Sequence, residues 1–553
     1  MQLNTKTVVF VRFLVFLLFC NDLLVDMAVV ESVVIIHDAK SSWDVDRPFP
    51  GPLIRAMFAD RVRIRITNML RDQSTAIHFH DLHMINNPRA DDTAHITQCP
   101  IHPYEKFIYE LNITQTGIFW YHSHNAQQYA DGLIGPIILD HDILEQRYDY
   151  GSHDYVIILQ DCTWKDNCGH EQPVQCIPLR ASFFGSCKSE AHPIDEFLCS
   201  PQKSIRLRLI NAASGIPFRF WIDQHNLTIV ARDSIEIASI SMSLVHIAFG
   251  QRLDLIVDCN QDLSVNYTIF VASRNSYQPS LNNIGATPPI SKSHSIEHDK
   301  LDSNDLFFEY KYLKPFKPRV APAAIRRITL ASEVRWNNRT GIDALEEWSV
   351  NGITFEPPNE PLLLANVFDG TFKHCVAYQR AGRVNNKHVT HIQHLEYGQT
   401  YEVLMINYDS QLHPWHLHGY SVEFTAVGKI PNLKSAKCNQ TQKDVRPFNY
   451  NTVLLPLNST LPVLSVGDSF TVPSESYVVF RFTANNPGPW FLHCHMEWHI
   501  WPGMALVFSV ERNGRYDGLI QSPTTSFSTC GRRTKISYQS SRLLLSNSHK
   551  TEL

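Results

Sequence analysis

The segment FLHCHMEWHIWPGM, residues 491–504, places His493, Cys494, His495, His499 and Met504 within fourteen positions. A thiolate, two imidazoles and a weak thioether form the ligand set of a blue-copper electron-transfer centre. Cys494, His499 and Met504 supply three of these at loop spacing, and His413, from HPWHLHG at 413–419, is the natural fourth. The chain also carries four His-x-His pairs, at 78–80, 122–124, 416–418 and 493–495. Along a strand, residues i and i+2 point to the same side, so each pair presents two imidazoles to one site. His78, His80, His122, His124, His416, His418, His493 and His495 therefore suit a cluster of imidazole-bound metal ions. The same alternation that aims His493 and His495 one way aims Cys494 the other, so one short segment touches two metal sites. Zinc also accepts imidazole, but only copper makes an electron-transfer arrangement useful. One His-x-His alone is ordinary in a polar strand; four that complete two chemically sensible sites are not. His83, His95, His102, His225, His374, His391 and His394 read as surface or hydrogen-bonded residues.

Short alternating apolar runs must position these ligands: RVRIRITNML at 61–70, SIRLRLINAA at 204–213, RLDLIVDC at 252–259 and SYVVFRFTA at 476–484. Gly, Pro, Asn or Asp bound each run, and no long segment keeps a helical period, which predicts an all-β chain built from sandwiches. GIFWYHSHNAQQYADGLIGPIIL and GPWFLHCHMEWHIWPGMALVFSV repeat one order: aromatic strand, His-x-His, Gly-rich return strand. That weak repeat predicts duplicated domains. With a β-rich stretch between them that lacks paired histidines, the 553 residues suit three sandwiches, at 33–145, 150–310 and 325–530. The polar stretch at 275–305 reads as a long loop.

A net charge of −5 leaves no electrostatic footprint for nucleic acid. The opening MQLNTKTVVFVRFLVFLLFC suits a signal peptide, taken as residues 1–28, and no later stretch approaches a transmembrane span. Sequons begin at Asn112, Asn226, Asn266, Asn338, Asn439 and Asn458, which fits a secreted glycoprotein. Of twelve cysteines, setting aside Cys20 and Cys494 leaves ten available for disulfides. Zinc binding by Cys162, Cys168, Cys176, Cys187 and Cys199 is the alternative, although their spacing matches no common finger. The terminal KTEL is close to the endoplasmic reticulum retrieval signal, so retention there is the alternative to secretion.

Through the four histidine clusters, the chain resembles the multicopper oxidases from about residue 33 to about 530, with PFPGP (48–52), TQCPI (97–101), DGLIGPIIL (131–139), WSVNGITF (348–355) and NNPGPWFLHCH (485–495) between them. TQCPI followed by HSHNAQQYADGLIGP is most similar to the laccase branch, animal laccases included. The resemblance implies three consecutive cupredoxin-like domains and four copper ions. His413, Cys494 and His499 would hold the type 1 copper with Met504 axial, and His78 and His416 the type 2 copper. His80, His122, His124, His418, His493 and His495 would hold the type 3 pair. It further implies a disulfide between Cys99 and Cys530. Laccases usually read His-Trp-His-Gly where this chain has Phe79 and Asp81, and the latter position favours a conformation Gly adopts easily. The usual Met-Asp-Gly reads ADD at 90–92, and the usual Arg-Asp-Thr-Val is nearest to GDSF at 467–470.

The chemistry implied is one-electron oxidation of a small phenolic substrate at the type 1 copper. Electrons then pass through Cys494 to His493 and His495, and O2 is reduced to water by four electrons. Glu497 and Asp91 are the candidate proton donors. A ferroxidase acting on Fe(II) is the alternative, for which Asp409, four positions before His413, is the candidate substrate residue. Against it, LINAASGIPFRF at 209–220 carries no carboxylate. A secreted copper-binding protein with weak or lost turnover is the second alternative, disfavoured by the complete ligand sets. Oligomeric state leaves no mark in the sequence.

Overall fold

A computed structural model describes residues 29–37, 50–140, 154–165, 171–174, 200–273, 307–336, 346–363, 387–430, 454–520 and 527–536, apart from a few isolated positions. The expected leader, the loop at 275–305, Cys168, Cys176, Cys187, Cys199, His374, the sequons at Asn266, Asn338 and Asn439, and the KTEL terminus lie outside the described residues. Asn112, Asn226 and Asn458 are exposed.

The alternating runs form strands Arg61–Met69, Ser204–Asn211, Arg252–Asp258 and Ser476–Thr483. In the first of these, Val62, Ile64 and Ile66 are buried while Arg61 and Arg65 reach solvent, as a strand with one covered face requires. The fold is all-β, three cupredoxin-like sandwiches in succession. The first pairs a three-stranded sheet, Val29–His37, Arg61–Met69 and Lys106–Asn112, with a four-stranded one, Ile54–Met57, Ile134–Asp140, Gly117–Ser123 and Ile77–His80. Its opening strand starts at Val29, ahead of the expected residue 33, because VVESVVIIH pairs in parallel with Arg61–Met69 along its whole length. The second has sheets of five and three strands, and the third sheets of eight and five.

Both copies of the repeat fold as antiparallel pairs. Gly117–Ser123 pairs with Ile134–Asp140, and Gly488–Cys494 with Ala505–Glu511. Leu207, Leu255, Val403, Phe480 and Leu506 share one continuous apolar core with Val62, Ile64 and Phe79, so the three sandwiches pack on one another. Cys99 and Cys530 are joined, which fastens residue 530 to the first sandwich, and Cys259 is also disulfide-bonded. No helix among the described residues is long and apolar enough to cross a membrane.

Candidate metal centre

Strand pairing across two sandwiches assembles the histidines. Ile77–His80 runs antiparallel to Gly117–Ser123 with His78 opposite His122. In the third sandwich, His413–Leu417 runs antiparallel to Gly488–Cys494 with His416 opposite His493 and Trp415 opposite Cys494. His413 and His416 are three positions apart on one strand and so leave it on opposite faces. The eight cluster histidines meet between the two sandwiches. Ring centroids of His78 and His418 lie 3.9 Å apart and those of His80 and His416 3.8 Å, both stacked, while His122 lies 5.6 Å from His495 and His124 5.1 Å from His493. His78 and His416 are 5.6 Å apart.

The outer ring nitrogens identify the tautomers. A carbonyl only accepts, so His78 donates Nδ1–H to Asp91 O, His122 to Ser123 O and His493 to Cys494 O, each at 2.9 Å. Their Nε2 atoms are therefore lone pairs turned inward. Nε2 of His78, His122 and His416, Nδ1 of His80 and both nitrogens of His495 are buried without a hydrogen-bond partner. His493 Nε2 lies 3.1 Å from His418 Nε2 and 3.4 Å from His124 Nε2. Burial, and then the neighbouring imidazoles, hold His122 and His493 well below the ordinary histidine range, and burial with His78 brings His124 down to about 3. Neutral imidazoles with converging, unpartnered lone pairs are what a cation of imidazole preference binds.

The second site is built around Cys494, the free cysteine among the described residues, which is buried. Its Sγ lies 3.6 Å from His499 Nδ1 and 4.0 Å from His413 Nδ1, and these two nitrogens are 3.2 Å apart. Met504 is buried in the same core, and its carbonyl accepts from Cys494 N at 3.0 Å. Trp348 stacks on His499 at 4.0 Å and meets His413 edge-on. Burial pushes the Cys494 thiol up.

Asp409 accepts from His413 Nε2 at 2.7 Å, with its side chain 18% exposed. It is also a turn residue, its Oδ1 accepting from Gln411 N at 2.7 Å. Asp91 accepts from His418 Nδ1 at 2.9 Å and lies 3.3 Å from His78 Nδ1. Burial pushes the Asp91 carboxyl up, but His418 and His78 more than offset this and hold it well below the carboxylate range. The carboxylate thus accepts from His418 while the Asp91 backbone carbonyl accepts from His78. Glu497 opens the short helix Glu497–Ile500 beside Ser214 of the second sandwich and hydrogen-bonds Trp501. Burial pushes its carboxyl up to about 8 against that hydrogen bond.

Sequence reasoning passed over Asp468 and Arg252. Asp468 Oδ1 lies 3.3 Å from His416 Nδ1 and 3.4 Å from His80 Nε2. Arg252 pairs with Asp468 and with Asp81. Burial and Asp468 raise the Asp81 carboxyl well above its usual range despite Arg252. Asp81 has φ 72°, the left-handed conformation its replacement of a Gly foreshadows. GDSF marked Asp468 only as a departure from a motif, and nothing in the spacing of RLDLIVDC marks Arg252 as more than a strand residue.

Comparison with known proteins follows the same lines. Three family profiles, each described as multicopper oxidase, match residues 29–143, 153–292 and 355–514. The chain is 27% identical over 497 residues to the iron transport multicopper oxidase FET3 of Saccharomyces cerevisiae, covering 85% of this chain and 72% of that protein. It is 27% identical to the L-ascorbate oxidase of Nicotiana tabacum, covering 84% and 86%, and 28% identical to Laccase-1 of Fomitopsis schrenkii, covering 83% and 81%. The crystal structure of Fet3p, a multicopper oxidase that functions in iron import, shares the fold with a TM-score of 0.68 at 22% identity, over 89% of this chain and 93% of that one.

Proposed function

The chain belongs to the multicopper oxidase family and is a copper-dependent oxidoreductase; from that membership we propose that it is laccase-like, oxidising small diphenols by single electrons and passing four to O2. The observation that carries this reading is the sharing of residues 493–495 between two sites. Cys494 meets His413 and His499, while His493 meets His124 and His418 and His495 meets His80 and His122. When bound, copper supplies one-electron acceptance beside Cys494 and the reduction of dioxygen at the histidines.

The chain's own residues would then divide as follows. His413, Cys494, His499 and Met504 would hold the type 1 ion, His78 and His416 the type 2 ion, and His80, His122, His124, His418, His493 and His495 the type 3 pair. The converging unpartnered nitrogens support this set. His493 Nδ1–H bound to the Cys494 carbonyl adds a short hydrogen-bonded link to the covalent one between the sites. Asp91 fixes the rings of His78 and His418. Glu497 is the proton donor. Asp409 meets the reductant, because it is partly exposed and bonded to a ligand of the electron-accepting site.

That same carboxylate favours a second reading, Fe(II) oxidation, since an anion at the entry point attracts a cationic reductant as well as it hydrogen-bonds a phenol. The leader and the exposed Asn112, Asn226 and Asn458 support secretion, with retention through KTEL as the alternative. The test is copper-loaded protein assayed for metal content, visible colour, and oxygen uptake with a diphenol and with Fe(II). Four ions per chain, intense colour and diphenol-driven uptake are expected. Far fewer ions and no colour would overturn the reading, and uptake with Fe(II) alone would select the second.

A further inference from the structure

The histidines come from the first and third sandwiches, yet a buried arginine of the second stands behind two of them. Arg252 grips both oxygens of Asp468, Nη2 to Oδ2 at 2.8 Å and Nη1 to Oδ1 at 3.1 Å. Nη2 also binds Asp81, and the guanidinium donates to Gly250 O at 3.0 Å and Ile118 O at 3.4 Å. One side chain thus touches all three sandwiches: Asp81 and Ile118 in the first, Gly250 in the second, Asp468 in the third. Asp468 in turn faces His80 and His416, and Ser469 Oγ sits between them, donating to Asp468 Oδ1 at 2.6 Å and lying 2.9 Å from His80 Nε2 and 3.3 Å from His416 Nδ1. With those outer nitrogens engaged, Nδ1 of His80 and Nε2 of His416 are left inward and unpartnered.

Two departures from the family motifs involve the partners of this guanidinium, Asp81 itself and the residue before Asp468. Asp81 adds a carboxyl where a Gly is usual, and Gly467 removes the arginine that usually precedes the aspartate. Position 467 has no room for a side chain: a Cβ there would lie 2.5 Å from Asp233 Oδ2 and 3.0 Å from the Arg232 guanidinium carbon. Arg232 is itself engaged by Glu309 at 2.5 Å and Asp233 at 3.1 Å. The cation that faces both Asp81 and Asp468 therefore comes from Arg252.

We propose that Arg252 is a positioning residue of the dioxygen site. It clamps Asp468, which sets the tautomer and tilt of His80 and His416, and so couples docking of the second sandwich to readiness of a metal site that contains none of its side chains. Outer-shell partners of this kind are typically worth ~10- to 100-fold in metal affinity. The inference rests on the proposed copper cluster, and the experiment separates the two.

Full-length wild type, Arg252→Met and Arg252→Lys are loaded with copper and challenged with a graded chelator, counting copper per chain beside the visible colour of the Cys494 site. The wild-type arm alone tests the copper cluster; the difference between variants and wild type tests this inference. Arg252→Met is expected to lose cluster copper at a chelator concentration about 10- to 100-fold lower, while colour is lost at the wild-type concentration. Arg252→Lys, which keeps the charge without the fork, falls between. A general structural role would lower both retentions together. Cluster copper held as in wild type, or lost in step with the colour, overturns the proposal, and Arg252→Lys decides by the same criterion where Arg252→Met does not fold.

Discussion

Replacing Asp409 by Asn removes the charge at the proposed electron-entry point. Asn can still accept from Gln411 N and keep the turn, so the backbone approaching His413 is preserved. What is lost is one negative charge 2.7 Å from His413 Nε2, together with the oxygen that accepts from that nitrogen, because the single amide oxygen is taken by Gln411 N. For a dication approaching to about 6 Å, Coulomb attraction to that charge lies between about 1.4 kcal/mol at an effective dielectric of about 80 and about 5.5 kcal/mol at about 20. Partial exposure and salt screening over about 8 Å favour the lower half, roughly 1–3 kcal/mol, or about five- to 150-fold in kcat/KM for Fe(II). A neutral diphenol loses only a hydrogen bond, about 0.5–1.5 kcal/mol, or about two- to tenfold. Any change in the potential of the electron-accepting site affects both substrates and tends to cancel in their ratio. At the midpoints of those ranges, about 2 against about 1 kcal/mol, oxygen uptake with each reductant should therefore show the Fe(II)-to-diphenol ratio of kcat/KM falling about fivefold, and the salt dependence of the Fe(II) rate flattening. An unchanged ratio would refute the placement of Asp409 at substrate entry.

Three further outcomes follow from the same geometry. Glu497→Gln keeps an acceptor for Trp501 but no transferable proton, so oxygen reduction should slow by about 100-fold or more while visible colour persists; unchanged turnover across acidic pH counts against it. Met504→Leu removes a weak donor that stabilises Cu(II), so redox titration should find the type 1 potential raised, and a drop would refute the axial role. Burial lowers His391 to about 4. Above pH 6.5 it is neutral folded or unfolded and adds no pH dependence, but as pH falls from 6.5 to 4 only the unfolded chain takes up the proton. On the order of 3 kcal/mol of stability is lost over that window, and denaturant titrations of His391→Gln should have a flatter profile there.

The histidine clusters were legible because strand geometry is local. His-x-His puts two rings on one face whatever surrounds it, and the i, i+3 spacing of His413 and His416 already divides them between two sites. The sandwich strands were legible for the same reason, as in the alternate burial of Arg61–Met69. Partners joined only by the fold were not. Asp81 and Arg252 are 171 positions apart and Arg252 and Asp468 216, so no window contains the pair. Asp91 was reached through a motif as a candidate proton donor; what no window of sequence shows is its bond to His418, 327 positions away. Trp348 lay within WSVNGITF, yet only packing places its ring against His499.

The buried charges around Arg252 are a poor device for stability. Removing an arginine and its carboxylates from water costs several kcal/mol per ion, and apolar side chains of equal volume often do as well or better. Orientation is a different matter. An apolar filling would leave the outer nitrogens of His80 and His416 without acceptors, and either ring could then carry its proton on the nitrogen that must face the metal. A fixed anion behind both rings removes that freedom before any ion arrives, and Asp91 does the same for His78 and His418. His493 Nε2 and His418 Nε2, both lone pairs, converge to 3.1 Å, where they would hold a cation of imidazole preference. A sandwich that contributes no ligand thus helps determine whether the ligands of the other two can act together.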